Sequence, residues 1–353
     1  MRVAILGAGS AGQGIAGYLA LKGHDVTLYN RTAERIAVLS MSKRLKVSGV
    51  IEGTAPVHAS SRIEDAVKDC NFIFVTARAF GHEPLIRECL PHLERNAVIV
   101  VFTAYWAALR LQSLLSAASR EDLTIAETTL LPLACQVIEP GHVNITGVKS
   151  TMRMATYPLS RLSAVYRQLH PVLPMLVKGN SVLETSLENY NPVIHVPLAL
   201  FNVRELEERS DTFKLYHKGI SQRVARVIDA VDSERMKVVT QVGLDLMTAR
   251  QMVKDYYNVK GTSTYDVIQN WEAVKEYVLP DPFSYVREEL CYGLTPLASL
   301  CDLLNIPAEA TKMLIAAWSV LDSVDYFQKG ITVHELGLSG MNAKEILQLI
   351  SER

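Results

Sequence analysis

The chain has 353 residues, 49% of them hydrophobic, and its 36 Lys and Arg residues nearly balance 37 Asp and Glu residues, for a formal net charge of −1. This length and apolar content predict two folded domains and exclude wholesale disorder. The balanced charge disfavours nucleic acid as a partner, because binding to phosphate chains needs a local excess of Lys and Arg. We therefore expect a protein that acts on small molecules.

The N-terminal segment, 1–12, has one basic residue and a short apolar run before its glycines, which predicts a strand and a turn rather than a signal peptide. No window of the chain reaches the roughly 18 apolar residues that a membrane span requires. The five cysteines are scattered and lack CxxC spacing, which disfavours a disulfide framework and a metal site. These features predict a cytoplasmic protein without a membrane partner.

The first half of the chain alternates short apolar runs with helical stretches. Residues 2–9 predict a buried strand that ends in glycines, and helices are predicted at 11–22 and 31–45. Further strands are predicted at 25–30, 71–77, 97–103, 123–128, 142–148 and 174–179. Strands that are apolar on both faces are typical of a parallel sheet covered by helices. The alternation predicts a Rossmann-type, doubly wound α/β fold.

The second half is helical in pattern from about residue 184. Apolar residues recur three and four positions apart through 204–246 and again at 294–304, and 332–350 predicts two short helices broken at Gly337 and Gly340. We therefore predict a dinucleotide-binding domain at 1–184 and an all-α substrate and catalytic domain at 185–353.

A glycine-rich loop follows the first strand. Residues 7–12, GAGSAG, fit the GxGxxG pattern of dinucleotide-binding sites. Gly7 permits a tight turn, Gly9 lets a pyrophosphate approach the backbone, and Gly12 lets the next helix pack close to the strand. The phosphates are expected at the start of that helix, at Ser10 and Ala11, where free N–H groups favour anions. The alternative is a glycine turn without a ligand.

The end of the second strand bears on the choice of cofactor. NAD sites usually place a carboxylate there to accept a hydrogen bond from the ribose 2′-hydroxyl. This chain has Asn30, Arg31 and Thr32 instead, which favours a 2′-phosphate and hence NADP. NAD stays open, with Arg31 as a solvated residue and Asn30 binding the ribose. After the strand at 71–77, Ala77 and Arg78 are expected to line the nicotinamide ribose.

Candidate acid–base residues lie in the helical half. Asn191 and His195 are four residues apart, hence on one face of a helix, within an apolar segment. A hydride-transferring enzyme needs a proton donor, and histidine titrates in a suitable range. The glutamate pair Glu288-Glu289, just before the Cys-Tyr-Gly sequence at 291–293, is the candidate for a carboxylate that orients the imidazole. The alternatives are a core histidine and a solvated glutamate.

Nearly the whole chain resembles the octopine/nopaline-type opine dehydrogenases. The matching segments, in order and with similar spacing, include GAGSAG at 7–12, VTARAFGHE at 75–83, ETTLLPLACQ at 127–136, ENYNPVIHVP at 188–197, EELCYGLTPLASLCDLLNIP at 288–307 and YFQKGITVHELGL at 326–338. The resemblance implies a reductive condensation of an amino acid with an α-keto acid through an imine, using a nicotinamide cofactor. It implies that His195 is the acid–base residue, that Asn191 orients the substrate and that Glu289 replaces the family's aspartate partner of the histidine. A homodimer is compatible with this reading.

Two departures from the family pattern concern the substrate. The family's arginine five residues before the aspartate falls on Ser284, so a fork suited to bidentate carboxylate binding is lost. Arg287, one helical turn later, is the candidate replacement, and a surface ion pair is the alternative for it. Tyr105, followed by Trp106, stands where the family has small residues and indicates an altered substrate pocket.

Two other functions stay open. A ketopantoate-reductase-like or hydroxy-acid dehydrogenase would reduce a ketone without an amine, but such enzymes rely on a lysine and none lies between Asn191 and His195. A cofactor-binding redox sensor that has lost catalysis is the other alternative, which the changes at Ser284 and Glu289 favour and the presence of His195 disfavours.

Overall fold

The computed structural model describes residues 1–209, 211–279 and 281–352. The chain divides into two compact units, Met1–Ser186 joined by the last residues from Ile350 onwards, and Leu187–Leu349. The domain boundary predicted between residues 184 and 185 lies within the short helix Val182–Leu187, where the chain passes from one unit to the other.

The first unit contains two β-sheets. Its strands are β1 (Arg2–Leu6), β2 (Asp25–Tyr29), β3 (Arg44–Gly49), β4 (Gly53–Pro56), β5 (His58–Ser60), β6 (Phe72–Val75), β7 (Val98–Phe102), β8 (Thr124–Thr128), β9 (Leu133–Glu139), β10 (His142–Val148), β11 (Met152–Tyr157) and β12 (Leu176–Lys178). The larger sheet has the order β12-β11-β8-β7-β6-β1-β2-β5, and the smaller has the order β4-β3-β10-β9. In the larger sheet β11 runs antiparallel to β8, while the pairs from β8 across to β5 are parallel.

Helices of this unit connect the strands. They are α1 (Ser10–Leu21), α2 (Ala37–Ser42), α3 (Ile63–Val67), α4 (Ala79–Cys89), α5 (Ala107–Ala117), α6 (Leu162–Leu169) and α7 (Val182–Leu187). Every residue of β6, β7 and β8 is buried, as expected of central strands in a covered parallel sheet. The smaller sheet packs closely on α1, because a Cβ atom on Gly17 would lie only 2.6 Å from Cγ2 of Val47 in β3.

The second unit is built from helices. They are α8 (Asn191–Leu200), α9 (Val203–Arg209), α10 (Leu215–Gly219), α11 (Gln222–Gln241), α12 (Ala249–Tyr257), α13 (Thr264–Gln269), α14 (Pro282–Glu289), α15 (Thr295–Leu303), α16 (Glu309–Asp322), α17 (Tyr326–Lys329) and most of α18 (Ala343–Glu352). One π-helical turn, Leu290–Leu294, joins α14 to α15. The predicted fold class, a Rossmann-type domain followed by an all-α domain, is confirmed.

The helix predicted at 31–45 is wrong in its second part. The chain forms a 3-10 turn (Ala33–Ile36) and α2, and then Lys43, at φ 52°, ends the helix. In β3, buried Leu45 and Val47 alternate with exposed charged residues, a period of two that the prediction overlooked. The prediction also missed β4, β5, β9 and β11, and it assigned 142–148 to the main sheet, whereas β10 belongs to the smaller one.

The two short helices predicted at 332–350 are also wrong in part. Residues before α18 form turns, and Gly337 and Gly340 have φ of 70° and 74°, which breaks the helical pattern as glycines commonly do. The segment 204–246 is mostly helical as predicted, and Ser210 within it lies outside the described residues.

Within residues 1–209, 211–279 and 281–352, no helix is long and apolar enough to cross a membrane. Nor do these residues include a group of three or more His, Cys, Asp and Glu side chains able to hold a metal ion.

A buried carboxyl group supports the start of α5. Glu127, fully buried at the end of β8, accepts hydrogen bonds from the Ala108 amide at 2.8 Å, the Thr185 hydroxyl at 2.5 Å and the Ser186 hydroxyl at 3.0 Å. Burial outweighs these bonds and raises the pKa of Glu127 to about 7. The group therefore takes up a proton on folding between about pH 4.5 and about pH 7.

The raised pKa of Glu127 predicts a pH-dependent stability. The contribution of Glu127 to the free energy of unfolding is fully present below its unfolded pKa of about 4.5 and is lost as pH rises through about 7. The total loss is on the order of 3 kcal/mol. Glu127→Gln should therefore gain in free energy of unfolding relative to the wild type between pH 5 and pH 8, as measured by urea denaturation. Parallel pH profiles for the two proteins would contradict the assignment.

Candidate active site and cofactor loop

The glycine loop joins β1 to α1 with little room to spare. Gly7 has φ 122°, which favours glycine, and a Cβ atom there would lie 2.9 Å from the Thr76 hydroxyl. A Cβ atom on Gly12 would lie 1.7 Å from the carbonyl oxygen of Gly7, so α1 approaches the loop as closely as backbone allows. Thr76 Oγ1 donates to the same carbonyl at 3.0 Å and ties the loop to the end of β6.

Gly9 differs from Gly7 and Gly12 because the space around its Cα atom is open. A Cβ atom on Gly9 would meet no protein atom within 4 Å, so the loop turns open backbone outward at the N-terminus of α1. Gly9 is the N-cap residue, and no side chain caps this helix. The Ser10 hydroxyl instead accepts a hydrogen bond from the Val137 amide at 3.2 Å. Open backbone at an uncapped helix start fits a pyrophosphate, so Gly9, Ser10 and Ala11 can hold a dinucleotide.

The end of β2 supports the same loop. Asn30 Oδ1 accepts from the Ala8 amide at 3.4 Å, and Asn30 Nδ2 donates to the Thr32 carbonyl at 2.9 Å. Arg31 and Thr32 are exposed. The structure therefore gives Asn30 a role in holding the glycine loop, a contact that sequence reasoning missed, and leaves Arg31 as the cation beside it.

Two more strand ends lie at this edge of the sheet. Ala77 follows β6 with its amide 3.1 Å from the position of a Cβ atom on Gly7, and Arg78 is the N-cap of α4. Tyr105 follows β7, is buried and has φ 42°. Ligands of parallel α/β sheets bind beyond the carboxyl ends of the strands, where all these predicted residues are found.

In the helical unit, a close contact between two helical segments brings together the predicted acid–base residues His195 and Glu289. His195 lies on α8, and Glu289 is the last residue of α14 before the π-helical turn. A Cβ atom on Gly293, within that turn, would lie 2.3 Å from Cγ of Pro192 near the start of α8. The missing side chain thus lets the turn pack on α8, and π-helical turns are frequent at functional sites.

The result is a buried hydrogen-bonded pair. His195 Nδ1 lies 2.6 Å from Glu289 Oε1, and the two side chains are 8% and 1% exposed. A carboxylate accepts, so we assign the shared proton to Nδ1. His195 Nε2 bonds the hydroxyl of Tyr216 on α10, which sequence reasoning missed because the two residues belong to separate helices and no spacing links them.

The other predicted residues of this unit lie on the same two helices, α8 and α14. Asn191 is the first residue of α8, one turn before His195 and half-buried. Arg287 is 55% exposed and forms an ion pair with Asp322 at 3.1 Å, which raises the pKa of the Arg287 guanidinium. The Ser284 amide donates to Asp281 at the start of α14. The structure thus brings His195 and Glu289 together and leaves Arg287 in a surface ion pair.

Comparison with known proteins agrees with the fold predicted for each half of the chain. Residues 178–321 match the family model described as NAD/NADP octopine/nopaline dehydrogenase, alpha-helical domain, and residues 3–158 match that of ketopantoate reductase PanE/ApbA. The opine dehydrogenase of Arthrobacter sp. (strain 1C) is 29% identical over 97% of both chains. The protein ocs of Agrobacterium vitis is 25% identical over 99% of both chains.

The resemblance to the octopine/nopaline-type opine dehydrogenases is confirmed by the family model of the helical unit and by relatives that match nearly the whole chain. The chain is an NAD(P)-dependent oxidoreductase of that type. Among solved structures, octopine dehydrogenase in complex with NADH and agmatine superposes with a TM-score of 0.79 at 17% identity, covering 100% of this chain and 98% of that one. The NADP+-bound yersinopine dehydrogenase superposes with a TM-score of 0.71 at 15% identity, covering 99% of this chain and 97% of that one.

The open face of Gly9 predicts a substitution that separates cofactor binding from folding. Gly9→Ala should weaken NAD(P)H binding by roughly tenfold or more, because the methyl group displaces the phosphates from the helix start. Its melting temperature without cofactor should match the wild type, since the added Cβ meets no protein atom. Fluorescence titration and thermal unfolding measure the two effects.

Gly12→Ala is the control for the same loop. Its Cβ would collide with the Gly7 carbonyl, so this variant should lose melting temperature as well as binding. Unchanged cofactor affinity in Gly9→Ala would refute the phosphate site.

Proposed function

We propose that this enzyme condenses an amino acid with an α-keto acid and reduces the resulting imine, in a reversible reaction. The observation that carries the proposal is the buried His195–Glu289 pair in a helical unit of the opine dehydrogenase type. Octopine dehydrogenase, a structural relative, has been solved with NADH and L-arginine and with NADH and pyruvate, which are an amino acid and an α-keto acid.

The pair supplies acid–base chemistry. Glu289 accepts from Nδ1–H and so holds the imidazole in one tautomer and one orientation, as the carboxylate of a catalytic triad does. Nε2 is then the nitrogen that gives and takes the proton. In the condensing direction His195 supplies the proton that lets the keto oxygen leave as water, and bound NAD(P)H supplies the hydride.

Substrate orientation is assigned to neighbouring residues. Asn191, one helical turn from His195, has a side-chain amide that can donate to a carboxylate and accept from an amine. Arg287 is the proposed carboxylate partner in place of the arginine lost at Ser284, and binding there requires it to exchange Asp322 for the substrate. Tyr105 is proposed to narrow the pocket in the nucleotide-binding unit.

We propose NADP as the preferred cofactor. Residues 30–32 at the end of β2 include no carboxylate to accept a bond from the ribose 2′-hydroxyl, and the Asn30 side chain is already engaged with Ala8 and Thr32. Arg31 is exposed beside it and can pair with a 2′-phosphate.

The cofactor proposal predicts a lower KM for NADPH than for NADH. Arg31→Ala should raise the KM for NADPH by about tenfold while leaving that for NADH within about twofold, because only the former carries the 2′-phosphate. Steady-state kinetics with both cofactors measure the difference. A wild-type preference for NADH would overturn the assignment.

The reaction is tested by NADPH oxidation with panels of amino acids and α-keto acids. Turnover should require both partners, and the product should be a secondary amine identifiable by mass spectrometry. His195→Ala should lose most of the turnover, on the order of 10²-fold or more, with nearly unchanged cofactor affinity.

The same panel distinguishes the other functions. Reduction of a keto acid at a rate independent of any amine would support a hydroxy-acid or ketopantoate-type reductase, whose nucleotide-binding model the first unit matches. Tight cofactor binding without turnover for any pair would support a redox sensor. A normal rate in His195→Ala would refute the role of the histidine.

A further inference from the structure

Tyr216 is held against the acid–base pair from a separate helix. Its side chain on α10 is buried, its hydroxyl bonds His195 Nε2, and its ring meets the imidazole edge-on at a centroid distance of 5.5 Å. Asn202 fixes α10 relative to α8, because its amide donates to the Leu198 carbonyl at 2.7 Å and to the Gly219 carbonyl at 3.0 Å. The contact between Tyr216 and His195 is therefore supported by the backbones of both helices.

The arrangement engages both nitrogens of the imidazole. Nδ1 faces Glu289 and Nε2 faces Tyr216, so neither ring nitrogen is open to a substrate atom while these bonds hold. A proton leaving His195 for the substrate must then pass through the Tyr216 hydroxyl, or that hydroxyl must first move away.

We propose that Tyr216 is a further catalytic residue that carries the proton between His195 and the reacting oxygen, an inference that rests on the proposed function. In the condensing direction the Tyr216 O–H bond breaks as its proton bonds to the departing substrate oxygen. The Nε2–H bond breaks as its proton bonds to the Tyr216 oxygen. The substrate C–O bond breaks with its electron pair on the water formed, while the amine lone pair forms the C=N bond.

The phenol stays neutral through this transfer. Burial raises the pKa of Tyr216 well above its usual value, and the nearby Tyr277, Glu289, Tyr257 and Tyr285 act in the same direction. An anionic tyrosinate is therefore disfavoured, and the phenol gives up one proton only as it gains another. The imidazolium of His195 becomes a neutral imidazole, so His195 and Tyr216 together pass one proton to the substrate.

Tyr216→Phe tests the relay, because it removes the hydroxyl and keeps the ring that packs at 5.4 Å from Trp271. We expect kcat to fall by about 10²-fold or more, with the KM for substrates and the cofactor affinity within about twofold of the wild type. A hydroxyl that merely blocks Nε2 and must move away predicts the opposite, an unchanged or higher kcat, and that result would overturn the relay.

A second measurement guards against misfolding of the variant. Fluorotyrosine at position 216 keeps the hydroxyl and the shape but lowers the phenol pKa, so a relay predicts a kcat and a pH–rate profile that change with the number of fluorine atoms. Profiles that coincide with the wild type would refute the relay.

The control is Tyr18→Phe. Tyr18 is another buried tyrosine, on α1, and its hydroxyl accepts a hydrogen bond from Lys22 at 2.6 Å rather than contacting His195. This variant should keep the wild-type kcat, whereas a loss equal to that of Tyr216→Phe would show that any buried hydroxyl matters and would refute the relay. Absence of amine-dependent turnover in the wild type refutes the proposed function, while full activity in Tyr216→Phe refutes the relay alone.

Discussion

A carboxyl group that is only 1% exposed needs a hydrogen-bond partner in place of water, and for Glu289 that partner is His195. The hydrogen bond of 2.6 Å between them depends on α8 and α14 meeting at a fixed distance. Gly293 permits that approach, since a side chain there would overlap Pro192. The local backbone of the helical unit therefore serves a single interaction, the buried hydrogen bond between Glu289 and His195.

Glutamate in place of the family's aspartate does not break this interaction. The longer side chain would displace the carboxylate on an unchanged backbone, yet Oε1 still reaches Nδ1. The π-helical turn begins at the next residue, where the helix geometry changes. Oε2 is buried and has no hydrogen-bond partner within the described part of the chain, so His195 provides the one bond that the described protein atoms make to the side chain of Glu289.

The two halves of the enzyme differed in how much of their function could be predicted from sequence. The glycine loop is a local structure in which a strand, three glycines and the start of a helix lie within twelve residues, so its pattern was visible in the chain. The pairing of His195 with Glu289 spans 94 positions, and only the family resemblance singled out Glu289, rather than Glu288, as the partner beforehand. Tyr216 had no such link. Strand β3 was missed for another reason. The apolar spacing predicted that the preceding helix continues through this segment, whereas the helix ends at Lys43.

The surroundings of the pair decide how strongly its charges act. Tyr216 packs on Trp271, which also meets Tyr190 and Tyr257, and these rings form an apolar wall beside His195. Electrostatic interactions strengthen where water is excluded, so these rings strengthen the hydrogen bond between Glu289 and the imidazole of His195. The indole N–H of Trp271 is also buried, and it has no hydrogen-bond partner among the described residues. In such a place a proton moves by exchange along existing hydrogen bonds, and α8, α10 and α14 assemble such a chain from Glu289 through His195 to Tyr216.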